Sequence, residues 1–438
     1  MKKYIIGMLV ILSFLLTGCG RGMSSEPEKK VLTLAVLKRD SQLQGSDFVK
    51  WINQYNAEQT DVQIEVVNYL ESYQDLEEAL NQIKIEINAG KGPDMIDFGT
   101  LYSPIDASCG MLEDLNTWIQ NDSSFHEQEY YSNILEAFEV GDSLYVMLPS
   151  FRINSFTTVN EQLARLERMD IHQLAEAYNA LGEGAILFPG ETKKAVLGMI
   201  CYGSLENYID WEEGICHFDS NGFKEILQFA NRFPLYLDLS EEYSAKQIFT
   251  EGKALLYPVM LDSVYGIAGI RQLYGETPTY IGYPFDSGYG TMAAINDIAI
   301  GISSTSNHKE EAWTFLKGLL EGEFQDNIKN GFPLRVSSLE QKLQDAEKPV
   351  HDADGEKAVQ YRLYFEGEEP VEVSDISPGD AETLKALIRK IEHNNSVDSD
   401  LYNILLEEVD FLFYENRNVE EVAEVIQSRA GIYISEKK

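Results

Sequence analysis

The chain has 438 residues, 44% of them hydrophobic, and 72 acidic against 35 basic side chains give a formal net charge of −37. That length exceeds what one apolar core organises, so two lobes are expected, and a charge of that sign and size excludes nucleic acid and anionic lipid surfaces as partners. Four cysteines, Cys19, Cys109, Cys201 and Cys216, supply no disulfide framework, Cys201–Cys216 being the one conceivable pair.

The chain opens on Lys2 and Lys3, an apolar run from Tyr4 to Leu16, and then Thr17, Gly18 and Cys19. Two cations, a short apolar segment and a small residue before cysteine form a secretion signal. Leu16-Thr17-Gly18-Cys19 matches the bacterial lipobox, in which the cysteine thiol takes a diacylglyceryl group before cleavage. Residues 1–18 are read as the signal peptide and Cys19 as the lipidated first residue of the mature chain. The alternative, an uncleaved transmembrane anchor, has thirteen apolar residues where a span needs roughly 20. Residues 19–30 hold Gly, Ser, Glu, Pro and Lys with almost nothing to pack, which makes a flexible tether. These features predict a protein on the extracytoplasmic face of the cell membrane, held there by lipid alone.

Val31 to Leu37 is a β-rich apolar run, read as the first strand. Ser46 and Asp47 can cap a helix to about Ala57, with Phe48, Trp51, Ile52 and Tyr55 at helical spacing. Val62 to Val67 alternates as a second strand. Leu76, Leu80, Ile83 and Ile87 then mark a helix that stops at Gly90. Lys91-Gly92-Pro93-Asp94 is a break, read as structural punctuation, and Met95 to Phe98 is the third strand. Strand, helix, strand, helix, strand with short links is a βαβ series, which predicts a parallel sheet covered by helices. Later segments continue the style, with a helix over Lys224 to Phe233 and strands over Gly252 to Tyr257, Tyr280 to Tyr283 and Ile298 to Ile302. A further helix runs from Lys309 to Leu320. Glu340 to Glu372 reads as a polar surface excursion. The end is helical, around Leu384 to Ile391, Leu401 to Leu412 and Val419 to Ile426.

No nucleophile elbow or phosphate-binding loop occurs, and the six histidines lack metal-ligand spacing. No catalytic residue, metal ligand or cofactor is therefore assigned. Carboxylate pairs arise by chance in so acidic a chain and carry no signal. Phe218 to Gly222 and His351 to Gly355 each hold part of a calcium loop, but no glutamate closes the twelve-residue pattern, so both are read as turns. Gly288-Tyr289-Gly290-Thr291-Met292-Ala293 fits a dinucleotide fingerprint in letters. That fingerprint needs a helix to start there, whereas a β-rich run follows. Trp51, Trp118 and Trp313 sit at packing positions, and Trp211 is placed on a peripheral turn.

The lipobox, Ala89 to Ile96, Gly110 to Leu115, Tyr280 to Pro284 with Gly288 to Gly290, Ser303 to Leu316 and Val422 to Arg429 occur in an order that spans the mature chain. On these blocks the sequence resembles the extracellular solute-binding lipoproteins of ABC importers. It is most similar to the carbohydrate-binding, maltose-binding-protein-like family of low-GC Gram-positive bacteria. The resemblance implies an α/β, periplasmic-binding-protein-like fold, two α/β lobes joined by a multi-strand hinge. Lobe 1 would comprise 31–148 and 287–330, and lobe 2 149–286 and 331–438. Crossings are expected near Leu148-Pro149-Ser150, Tyr283-Pro284-Phe285 and Asn330-Gly331-Phe332-Pro333.

Two such lobes bind ligands at the carboxyl ends of their strands, in the crevice between them. The expected ligand-binding residues are Tyr102 after the third strand, Phe151 and Arg152 after the first crossing, and Tyr202 in the run from Leu197. To these are added Asp262 after Tyr257, and Phe285, Asp286 and Tyr289 at the second crossing. Twenty-four tyrosines suit sugar recognition, in which rings stack on apolar pyranose faces and Asp, Asn and Arg bind hydroxyls. The function implied is capture of a small-molecule solute, an oligosaccharide, by a monomer that hands it to separate ABC permease subunits. A secreted glycan-active enzyme and a sensory protein for a receptor kinase are the alternatives.

Overall fold

The computed structural model describes residues 29–437, other than 74, 104–109, 167, 183, 211–212, 238–252, 285–289 and 365–368. Cys19, the signal segment and Cys109 lie outside the described residues. No described helix is long and apolar enough to cross a membrane.

The first sheet follows from the βαβ pattern. β1 (Lys30–Val36) pairs in parallel with both β2 (Val62–Asn68) and β3 (Met95–Asp97), Lys30 standing opposite Val62 and Leu34 opposite Met95. As the inner strand, β1 has Leu34, Ala35 and Val36 buried, so it reads as a continuous apolar run rather than an alternating one. The helix Asp47–Glu58 starts where Ser46 Oγ accepts a hydrogen bond from Val49 N at 3.2 Å, and Phe48 and Ile52 face inward. Asp75 caps the helix Leu76–Asn88 through Glu78 N at 2.8 Å. Asp94, in the break that follows, accepts from Thr33 N at 2.9 Å and Ser306 Oγ at 2.6 Å, tying β1 to a later loop. That is the structural role the punctuation reading gave it.

The second sheet is built differently from the expected parallel style. Its spine is β4 (Ser150–Thr158). A separate ribbon, β5 (Ile209–Asp210) with β6 (Ile215–Cys216), precedes its other partners. β7 (Tyr257–Leu261), β8 (Thr279–Tyr280) and β9 (Met292–Ile295) all pair antiparallel with β4. β10 (Ile300–Ile302) returns to the first sheet, antiparallel to β3 with Ile300 opposite Asp97. β11 (Phe332–Pro333) again joins β4. The chain thus passes between sheets after Met147, which bridges to Ile300, between β9 and β10, and before β11.

The middle crossing lies at 296–299, downstream of Tyr283-Pro284-Phe285. Tyr283 stays with the second sheet, its N–H bonded to Gly290 O at 2.8 Å and its ring against Phe156 at 4.7 Å. A Cβ on Gly290 would fall 1.9 Å from Tyr283 O, so glycine there lets two backbones touch. The strand β9 begins at Met292, where a dinucleotide site would need a helix.

Glu340 to Glu372 is more ordered than its polarity suggests. The helix Val336–Ala346 buries Leu339, Leu343 and Ala346. A hairpin of β12 (Tyr361–Leu363) and β13 (Val371–Val373) packs over Gly269 of the helix Gly266–Tyr274. β14 (His393–Asn394) then runs parallel to β9. The helices Pro378–Arg389, Ser399–Phe413 and Val419–Lys437 end the chain. Leu339, Leu384 and Ile388 join the apolar cluster that contains the first sheet. Leu401 to Ile434 join a second cluster with Phe156, Leu197 and Phe223. Cys201 and Cys216 are both buried and free, so the conceivable disulfide is not formed. Burial pushes the Cys201 thiol up to about 12. Phe218 to Gly222 serves as a helix entry, with Ser220 capping Asn221–Ala230.

Polar side chains fix the crossings. Asp97, fully buried at the end of β3, pairs with Lys38 Nζ at 2.7 Å and accepts from Gly99 N and Ala299 N, each at 3.0 Å. Burial works to lower the Lys38 ammonium, but the Asp97 and Asp297 carboxylates outweigh it and hold the group above its ordinary value. Asn296 Nδ2 donates to Ser150 Oγ at 3.2 Å and Asn330 O at 2.8 Å, so one side chain touches all three crossings. Gly331, at φ +79°, leaves room for it: a Cβ would come within 2.7 Å of Asn296 Cγ. Gln325, buried, donates to Pro149 O at 2.8 Å and accepts from Arg335 N at 2.9 Å. Asp97→Asn should leave the Lys38 charge without its buried partner and cost on the order of 3–5 kcal/mol. Urea unfolding checks this, and a loss below about 1 kcal/mol would show that the pair does not hold the crossing.

Candidate functional site

Two chambers open between the sheets where the chain crosses. The outer one, about 770 Å³, is lined by Ser150 and Arg152 of β4, Asp262 after β7, and Asn296, Asp297 and Ile298 of the middle crossing. Its far wall carries Phe48 and Trp51 of the helix Asp47–Glu58 and Phe324 and Lys329 beside the third crossing. The inner one, about 300 Å³, is lined by Thr100 and Tyr102 after β3, Arg152 and Asn154 of β4, Met260, Ile295, and Asn395, Ser396, Val397 and Ser399 with Tyr402. Arg152 lines both, so the chambers meet at this residue.

Local folding places each group. Arg152 and Asn154 stand two residues apart on β4 and therefore on one face of the strand. Arg152 Nη2 donates to Ile295 O across the pair at 3.0 Å, and Nη1 lies 3.7 Å from Met260 Sδ. Tyr102 is 4% exposed with its ring edge-on to Phe98 at 6.2 Å, and burial raises its hydroxyl above the ordinary value. Ser103 Oγ reaches Asp398 Oδ2 at 3.4 Å, joining the loop after β3 to the start of the helix Ser399–Phe413. In the outer chamber, Trp51 meets Phe324 edge-on at 5.2 Å and Phe315 at 5.3 Å. Asp47 bridges Lys329 and Lys50, which hold its carboxyl down to about 2.

The inner chamber concentrates unmet polarity. Tyr102 OH, Arg152 Nε and Asn154 Oδ1 are all buried without a hydrogen-bond partner. A buried polar atom left unmet costs about 1–3 kcal/mol, and native folds meet nearly all of them. One donor, one acceptor and one hydroxyl able to act as either therefore belong to residues that line a single small space. Such an arrangement can serve a polar molecule through complementary hydrogen bonds.

Of the residues expected from sequence, Tyr102, Arg152 and Asp262 line the chambers. Phe151 does not: it is fully buried beneath them, its ring against Phe332 at 5.7 Å and Tyr131 at 6.3 Å. It follows Ser150 into the sheet on the opposite face from Arg152. Tyr202 belongs to the helix Lys193–Ser204. Phe285, Asp286 and Tyr289 lie outside the described residues. Asn154, Asn296, Trp51 and Phe324 were not foreseen as lining. The two-residue strand period from Arg152 signals Asn154, whereas the helical spacing of Trp51 signals packing and conceals the edge it turns to the chamber.

Residues 50–335 match the family model described as bacterial extracellular solute-binding protein. No curated relative matches the chain in sequence. Among solved structures, an ABC substrate-binding protein from Listeria monocytogenes in complex with cycloalternan is similar at 14% identity, over 93% of this chain and 100% of that one, with a TM-score of 0.52. The sugar-binding protein MalE from Xanthomonas citri is similar at 11% identity, over 93% and 98%, with a TM-score of 0.54. A periplasmic solute-binding protein from Pectobacterium atrosepticum matches at 14% identity, over 93% and 99%, with a TM-score of 0.52. At these identities the likeness is one of fold, and the fold is periplasmic-binding-protein-like.

Tyr102→Phe removes a buried hydroxyl that no protein group meets. The unliganded variant should be as stable as the parent or more stable by about 1 kcal/mol. Denaturant unfolding tests this, and a loss above about 1 kcal/mol would reveal a structural partner for the hydroxyl.

Proposed function

This chain belongs to the bacterial extracellular solute-binding protein family, and from that premise we propose that it captures an oligosaccharide between its two sheets and delivers it to an ABC permease. The observation that carries the reading is the pair of chambers joined at Arg152, with aromatic edges in one and unmet polar atoms in the other. A sugar has apolar ring faces for Trp51 and hydroxyls for Tyr102, Arg152 and Asn154. The chambers fall in the size range of small-molecule sites. The cycloalternan bound by the Listeria protein and the sugar-binding character of the Xanthomonas protein support the same class.

Capture works through the crossings. A solute that touches β4 and the loop after β3 together binds best when the sheets approach, and that difference in affinity moves the population toward the closed form. Release to permease subunits reverses it, with the solute unchanged. Phe285, Asp286 and Tyr289 remain proposed contacts. The protein is proposed to act as a monomer on the extracytoplasmic face, held by a lipid on Cys19 within Leu16-Thr17-Gly18-Cys19.

A panel of mono- and oligosaccharides should contain members that raise the thermal midpoint, since a ligand that binds only the native state stabilises it. With such a ligand at saturation, the radius of gyration from solution scattering should fall, and the sugar should be recovered intact. A cleaved sugar would favour a glycan-active enzyme, and no shift with any saccharide would contradict the assignment. In cells, Cys19→Ala should move the protein from the membrane fraction to the soluble one; unchanged membrane association would mean that something other than this lipid holds it.

A further inference from the structure

We infer that the inner chamber takes the acidic end of the solute, a sugar unit bearing a single carboxylate, against Arg152. This rests on the capture reading and adds the charge of what is captured. Arg152 is the only charged side chain among the described residues lining the inner chamber. Its hydrogen bonds go to a carbonyl oxygen and a thioether, and its Nε–H is buried without an acceptor.

Other partly buried arginines of this acidic chain are neutralised by carboxylates. Arg271 pairs with Asp380 at 2.8 Å, Arg335 with Glu129 at 2.7 Å, and Arg429 with Glu407 and Glu408 at 2.8 and 2.5 Å. Arg152 forms no ion pair with any described residue. A guanidinium already balanced by a protein carboxylate has little preference for an anion, whereas Arg152 has no carboxylate partner among the described residues.

The neighbouring groups fit the same ligand. A carboxylate takes parallel N–H bonds from a guanidinium edge, and Tyr102 OH, 4% exposed on its residue and unpartnered, is placed to donate a further bond. Asn154 Oδ1, an acceptor, suits a ring hydroxyl beside the carboxylate. Asp398, next to Val397 and Ser399 of the wall, is engaged by Leu401 N at 2.7 Å and Tyr433 OH at 2.9 Å. One guanidinium matches a monoanion better than a phosphate monoester of about −1.5 to −2. Asp262 and Asp297 line the outer chamber that Arg152 also reaches, whereas no carboxylate is among the described residues lining the inner one.

The test uses matched oligosaccharides that end in a uronic acid, in its carboxyl-reduced hydroxymethyl counterpart, or in a 6-phosphate, in both gluco and galacto configurations. Calorimetry should find the uronate form about ten- to hundredfold tighter than its neutral twin. Arg152→Gln, with folding checked by its unliganded midpoint, should bring that ratio close to one. Asn154→Asp, which sets a charge opposite the carboxylate and leaves Arg152 in place, should lower the ratio as well and decides the matter if Arg152→Gln does not fold. Equal or tighter binding of the neutral form overturns the acidic subsite while leaving saccharide capture intact. Tighter binding of the phosphate form overturns the carboxylate assignment. Binding of no member overturns saccharide capture and this inference together.

Discussion

The buried Asp97 carboxylate is the contact on which the arrangement of the site depends. It ends β3, receives Lys38 from the end of β1, and accepts the N–H of Ala299 just before β10. The same carboxylate therefore sets where the loop carrying Tyr102 leaves the first sheet and where the middle crossing enters it. A buried ion pair is often no more stabilising than an apolar pair of the same volume. Its consequence here is positional: a chain held at Gly99 and Ala299 cannot slide without leaving a charge unmet.

From that point outward the crossings are tied to one another rather than to either lobe. Asn296 reaches Ser150 and Asn330, and Gln325 reaches Pro149 and Arg335 N. Three chain segments bonded side by side resist sliding better than they resist a small joint rotation, which is the mechanical character of a hinge. Arg152 and Asn154 lie on β4 immediately beyond this knot, while Tyr102 and Trp51 are carried by the opposite wall. Unmet polarity is thus concentrated where the two walls face each other, the place at which a solute gains most from closure. Leaving Tyr102 OH, Arg152 Nε and Asn154 Oδ1 unsatisfied costs the free protein stability that bound solute can restore.

Much of this was legible in the sequence because local signals agree with the tertiary structure. Ser46 caps the helix it was expected to cap, and Val31 to Leu37, Val62 to Val67 and Met95 to Phe98 form the parallel strands that their patterns predict. Strand-end logic names Tyr102, Arg152 and Asp262, which line the chambers, and Phe151, which is buried beneath them because neighbouring residues of a strand face opposite ways. The middle crossing was misplaced because Met292–Ile295 and Ile300–Ile302 are adjacent apolar runs that hydropathy cannot assign to different sheets. Leu339, Leu343 and Ala346 were overlooked among charged neighbours although their spacing is helical. Trp51 was read as core, which it is on one side. Contacts such as Asn296 with Ser150 depend on which distant segments meet, and no local pattern records that.

The most direct measurement is a crystal structure of the protein saturated with a solute that raises its melting point. The account predicts one molecule running through both chambers, with an acceptor atom within hydrogen-bond distance of Arg152 and a ring against Trp51. It also predicts Tyr102 and Asn154 bonded to that molecule and the two sheets drawn together about residues 149, 296 and 331. A solute bound away from these chambers, or seated in them with Tyr102 OH, Arg152 Nε and Asn154 Oδ1 still unmet, would contradict it.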